Sequence, residues 1–116
     1  MSTSLLEKRL PDGARHADEY ADVPELVAEL RALPAESDEF ARRREQIVLR
    51  CCPLADRLAR HFDGRGENLD DLVQVARVGL IQAINRFDPD NGAGFVAFAV
   101  PTIMGELRRH FRDYGW

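Results

Sequence analysis

The strongest pattern along the chain is apolar residues recurring every three or four positions, in three successive stretches. In the first long stretch, Phe40, Ile47, Val48, Cys51, Leu54, Ala55, Leu58 and Phe62 keep that spacing. They predict one amphipathic helix running to about Asp63, with Ser37 as its N-cap and Gly64 and Gly66 beyond its end. Pro53 falls inside it, leaves the Leu49 carbonyl without its helical partner and predicts a kink. In the second, Leu72, Ala76, Leu80, Ala83 and Phe87 form one apolar stripe over 69–87, behind Asn68 as cap and with Asp70 and Asp71 in the first turn. In the third, Phe95, Ala99, Ile103, Leu107 and Phe111 form a row over 95–113, and Pro101 predicts a bend there. A shorter run before these, Leu26, Val27, Leu30 and Leu33, predicts a one-faced helix that starts near Asp22 and Pro24 and stops at Pro34. Residues 1–22 show little periodicity and are expected to form a mobile tail. No segment alternates with the period of a strand. The expected fold is therefore all-α: a bundle of about four helices, one of them a long kinked scaffold, over residues 23–116.

The second helix carries more apolar residues than one stripe needs. Val75, Val78 and Ile81 fall largely off the stripe, interleaved with Asp71, Gln74, Arg77 and Gln82. Apolar residues framed by polar ones suggest a partner surface, on which Val75 and Ile81 stand substantially exposed. A helix buried on several sides would show the same pattern, and periodicity alone does not choose between the two.

Length and composition set bounds on this picture. At 116 residues with 45% hydrophobic and 31% charged residues, the chain is one domain's worth of globular sequence. No apolar run is long enough to span a bilayer, and the first 20 residues lack the apolar core of a secretory signal, so the expected location is the cytoplasm. The net charge of −4 is unevenly spread. Residues 1–40 hold 4 basic and 10 acidic side chains, and residues 41–116 hold 12 basic and 10 acidic ones. That is a weak footprint for an isolated duplex binder, and it suits a protein that touches DNA as part of a larger assembly.

Candidate chemistry is sparse. Cys51 and Cys52 are the only cysteines, and neighbours on a helix point about 100° apart, so they form no disulfide framework and no complete zinc site. Lys8 is the only lysine, and no phosphate-binding glycine loop is present. His16, His61 and His110 are far apart, and no nucleophile elbow occurs. The run Asp88-Pro89-Asp90-Asn91-Gly92-Ala93-Gly94 has an acidic spacing like that of a calcium loop. Its sixth position is Ala93 and its twelfth Ala99, where such a loop needs Gly and Glu, so it is a turn-rich connector. No catalytic constellation, metal site or cofactor site is expected. The last helix offers another chemistry on its outer faces, where Phe98, Thr102, Gly105, Arg108, Arg109 and Arg112 gather. A ring on which bases stack, beside guanidinium groups that hold phosphates, suits single-stranded nucleic acid. An amphipathic helix whose basic last turn matches the macrodipole has the same residues.

Two strings of residues point further. The first, D-L-x-Q-x-x-x-x-G-L-x-x-A-x-x-x-F-D, comprises Asp71, Leu72, Gln74, Gly79, Leu80, Ala83, Phe87 and Asp88. The second, F-x-x-F-A-x-P-x-I-x-G-E-x-R-R, comprises Phe95, Phe98, Ala99, Pro101, Ile103, Gly105, Glu106, Arg108 and Arg109. In this order and spacing they resemble the second region of bacterial sigma factors, over roughly two thirds of the chain from about Arg42 onward. The second string is most similar to the sporulation and stress-response (sigma-F/sigma-B-like) group of alternative sigma factors. The short N-terminal helix would then be region 1.2-like.

The resemblance implies a non-enzymatic domain that binds core RNA polymerase and helps to recognise and melt the promoter −10 element. Asp71, Gln74, Val75, Arg77 and Ile81 match the family's face for the polymerase clamp coiled coil. Phe98 matches an aromatic that faces a base flipped from the duplex. Gly105 and Arg108 match positions that read the upstream part of the element on its non-template strand, and Arg109 and Arg112 would steady phosphates. Pro101 and Thr102 stand where primary sigma factors carry two adjacent tryptophans, which wedge against the upstream duplex, and neither residue stacks comparably. An anti-sigma regulator is an implied further partner. A helical module held by such a regulator, with no DNA contact of its own, is the alternative class. A helix-turn-helix binder would need a short turn between its helices, and the 88–94 loop is long for that.

Overall fold

The computed structural model describes residues 17–112. They hold four α-helices and no strand: α1 (Val23–Arg31), α2 (Asp38–Arg60), α3 (Leu69–Arg86) and α4 (Phe95–His110), preceded by a single 3-10 turn, Ala17–Tyr20. Each long helix begins where the sequence signals it. The Ser37 hydroxyl accepts from the Phe40 amide at 3.1 Å and donates to the Pro34 carbonyl at 2.8 Å. Asn68 Oδ1 accepts from the Asp70 amide at 2.7 Å. These bonds satisfy amides that a helix start otherwise leaves unpaired. Asp22 occupies the N-cap position of α1 without bonding its amides, because its carboxylate is paired with Arg50 of α2.

The ends differ slightly from expectation. α2 stops at Arg60, and the next three amides bond the carbonyls of Leu58, Ala59 and Arg60 in tightened turns before Gly64 and Gly66 reverse the chain at φ 87° and 92°. The prolines do not break their helices, since α2 runs on through Pro53 and α4 through Pro101. Both prolines are exposed, and so are Leu49 and Ala97, whose carbonyls lose their helical partners. Of the expected tail, residues 1–16 lie outside the described residues. Within residues 17–22 Tyr20 is packed: it is 3% exposed, its hydroxyl accepts from Arg57 at 3.2 Å, and the Arg50 guanidinium lies 5.8 Å from its ring. The sequence pattern missed this anchor because a lone aromatic has no period.

The core explains the order of the helices. α3 packs against α2 on one side and α4 on the other. Leu72, Ala76, Leu80 and Ala83 are fully buried, as are Leu54, Ala55 and Ala59 of α2 and Ala99, Ile103 and Leu107 of α4. Small residues on α3 let α4 approach closely. A Cβ on Gly79 would stand 2.9 Å from the Ile103 Cα, so this crossing requires glycine. The Phe87 ring closes the C-terminal end of α3 edge-on against Phe95, centroids 5.3 Å apart. α1 buries Val23, Val27 and Leu30, and its Arg31 donates to the carbonyls of Ile84 and Asn85 at 3.0 and 3.1 Å, capping the far end of α3.

Candidate functional site

The inward stripe of α3 leaves a second set of positions outward, three and four residues apart. Asp71, Gln74, Val78 and Asn85 are exposed along it, and Ile81 is half-buried. Val78, with half its surface exposed, is one of two large apolar residues that stand clear of the core among the described residues; Leu49 of α2 is the other.

The candidate polymerase-binding residues divide on this geometry. Asp71 and Gln74 lie on the outward stripe. Val75 and Ile81 are half-buried, which corrects the expectation that both stand substantially exposed. Val75 is three residues after Leu72 and four before Gly79, both buried, so its side chain leans on the core cluster. Ile81 is half-buried as well, three residues before buried Ile84. Arg77 already has an intramolecular partner: its Nε and Nη2 donate to the two carboxylate oxygens of Asp56 at 3.2 and 3.1 Å, a bidentate pair that ties α3 to α2. Val78, and not Val75, is the exposed aliphatic on this stripe. Its signal was in the sequence, seven residues after Asp71 and four after Gln74.

The outer row of α4 is built the same way and carries different chemistry. Opposite buried Phe95, Ala99, Ile103 and Leu107 run Phe98, Pro101, Thr102, Gly105, Arg108, Arg109 and Arg112. Pro101, Arg108, Arg109 and Arg112 are exposed, and Phe98, Thr102 and Gly105 are half-buried. The Phe98 ring has one side in the protein, tilted against Phe87 with centroids 5.8 Å apart, and packs on the core without being enclosed by it. A ring anchored in this way and still partly accessible is chemically suited to stacking. The Thr102 hydroxyl donates to the Phe98 carbonyl at 3.1 Å, so it is occupied on its own helix. A Cβ on Gly105 would meet nothing within 4 Å, which leaves the backbone there open to a close approach. Arg109 pairs with Glu106 at 3.1 Å.

Other chemistry is limited. Burial pushes the Cys51 thiol up to about 12 and raises that of Cys52 as well, so both are protonated small apolar residues at neutral pH. Among the described residues, no group of three or more His, Cys, Asp or Glu side chains could hold a metal ion, and no helix is long and apolar enough to cross a membrane.

The chain is similar in sequence to known proteins. The family described as Sigma-70 region 2 matches residues 47–116. RNA polymerase sigma factor SigF of Mycobacterium tuberculosis is 65% identical over 103 residues, which cover 89% of this chain and 40% of that protein. RNA polymerase sigma-F factor of Kitasatospora aureofaciens is 41% identical over 100 residues, 86% of this chain and 34% of that protein. RNA polymerase sigma-B factor of Bacillus subtilis is 38% identical over 95 residues, 82% of this chain and 34% of that protein. The chain thus spans about two fifths of the length of the SigF relative it matches, and less of the others.

Proposed function

Because the chain belongs to the Sigma-70 region 2 family, with relatives named sigma-F, sigma-G and sigma-B, we propose that it binds core RNA polymerase through α3 and the promoter −10 element through α4. One observation carries this reading. Two helices locked together at Gly79 present two outward surfaces of different chemistry, one with an exposed aliphatic on a polar stripe, the other with a half-open ring among arginines. The first suits a protein partner and the second suits unpaired bases and phosphates.

On the polymerase side, Asp71, Gln74, Val78 and Ile81 meet the clamp coiled coil, with Val75 packed behind them and Arg77 holding the helix in place through Asp56. On the DNA side, Phe98 receives a base of the non-template strand that has left the stack. Extruding a base costs about a few kcal/mol, which a fitted platform offsets. Gly105 and Arg108 face the upstream part of the element, and Arg109 and Arg112 contact phosphates. Pro101 and Thr102 border the same row without a ring to wedge into the duplex, so opening depends more on Phe98 here than in a factor with two tryptophans. An anti-sigma regulator would act by covering the α3 stripe.

Binding of a single-stranded −10 oligonucleotide, titrated with salt in the presence and absence of core polymerase, tests the reading. The expected result is binding that needs the polymerase, prefers the single strand to the closed duplex, and weakens as salt rises. Equal affinity for duplex and single strand in the assembled complex would overturn it.

A further inference from the structure

The C-terminal end of α4 does not stand alone. The loop after α2 is held against it by two separate contacts. Phe62 stacks on Phe111 with centroids 5.2 Å apart and planes 30° from parallel. Glu67 Oε1 lies 3.0 Å from His110 Nε2, with both side chains mostly buried. Between these anchors, Gly64 and Gly66 adopt positive φ on either side of Arg65. Arg65 is exposed, and its guanidinium lies over the Phe62 ring, 5.3 Å from the centroid. The ring thus has Phe111 packed on it and a cation held over it. On α4, Arg108 and Arg112 are exposed on the flank next to Phe111. The loop's own Asp63 is exposed as well and offsets part of this charge.

Resting on the reading above, we propose that the residue 63–66 loop is a second DNA-contacting element, in which Arg65 holds a backbone phosphate of the duplex just upstream of the melted segment. The direction follows from α4. Phe98 lies toward its N-terminal half, where the unpaired base sits, and Arg108 and Arg112 lie at its C-terminal end, where the paired DNA must lie. The loop adjoins that C-terminal end. Arginine on an aromatic platform keeps its guanidinium plane oriented at low entropic cost, which suits a phosphate contact. Such a contact positions the duplex without reading its sequence.

The test uses the 116-residue chain assembled with core polymerase and two probes: forked DNA with a duplex upstream of a single-stranded −10 element, and the single-stranded element alone. Arg65→Ala is expected to weaken forked-DNA binding several-fold, to reduce the salt slope on that probe by about 1, and to leave the single strand within about twofold. Arg65→Lys should keep the slope. Arg65→Ala binding forked DNA like the parent, while Arg108→Ala does not, overturns the proposal and leaves the −10 reading standing. Equal loss on both probes, with a lowered melting temperature, shows Arg65 to be a structural clamp on Phe62 and also overturns it. A parent complex that holds neither probe overturns both the proposal and the reading beneath it.

Discussion

The outward stripe of α3 and the outward row of α4 lie on adjacent helices with the same inward construction, yet they expose different chemistry. On α3 the exposed positions are a carboxylate, amides and an aliphatic, with a second aliphatic half-covered. On α4 they are three arginines, with a half-buried ring and a half-buried glycine in the same row. On the reading proposed above, recognition by the first depends on apolar area and fit, which salt hardly alters. Recognition by the second depends on stacking and the release of counterions, which salt alters strongly. The comparison teaches that a small bundle can keep two chemistries apart by turning two helices around one shared crossing.

The largest expected effect comes from breaking that crossing. A Cβ at Gly79 meets the Ile103 backbone, so Gly79→Ala must push α3 and α4 apart. Overpacking of this kind costs about 1–3 kcal/mol. Thermal unfolding should show a clear fall in Tm, and polymerase and DNA binding should decline together. A Gly79→Ala chain with unchanged Tm would mean that the helices slide past each other without strain.

Phe98→Ala follows, and separates the two surfaces. A stacked base is worth about 1–3 kcal/mol by alanine substitution, so promoter opening, followed by permanganate reactivity, should fall by roughly tenfold or more while polymerase binding holds. The ring also packs on Phe87, so a modest drop in Tm is expected. Normal opening with an intact fold would make Phe98 core packing and remove the aromatic from the DNA surface.

A smaller effect is expected on the other side. Gln74→Glu or Val78→Glu should weaken core-polymerase binding by about tenfold, about 1.4 kcal/mol, with helicity and Tm nearly unchanged because both positions are exposed. Ile81→Glu should weaken it similarly and lower Tm somewhat, since that side chain is half-buried. If fluorescence titration shows these variants binding polymerase like the parent, the α3 stripe is not the partner surface.

The smallest effect belongs to Arg109→Ala. Its exposed guanidinium already pairs with the mostly buried Glu106, so a phosphate contact would replace an existing ion pair and add little. Binding should weaken nearly uniformly across −10 sequences, and the loss should shrink as salt rises, whereas that of Phe98→Ala should shrink less. A sequence-dependent loss would move Arg109 from phosphate to base contact.

Much of this molecule follows from local sequence. The helices exist where apolar residues recur at helical spacing, and Ser37 and Asn68 cap them as their side chains allow. The rows from Phe95 to Leu107 and from Leu72 to Ala83 turn inward because their own period places them on one face. The two strings of family residues lie on α3 and α4, so the two candidate surfaces were legible as lists of residues. Which members of a list face outward was not. Val75 and Val78 are both aliphatic residues off the main stripe, and only the packing of α2 and α4 on either side of α3 separates the half-buried one from the exposed one. The same holds for the arginines. Nothing local distinguishes Arg77, paired with Asp56, from Arg31, which caps α3, or Arg65, which lies over Phe62. Periodicity is a property of one helix and is written in neighbouring residues. The close crossing at Gly79, the burial of Tyr20 and the stacking of Phe62 on Phe111 join residues far apart in the chain. They exist only once the helices have packed, because the free energy that selects them is gained at the interface between elements and not within any one of them.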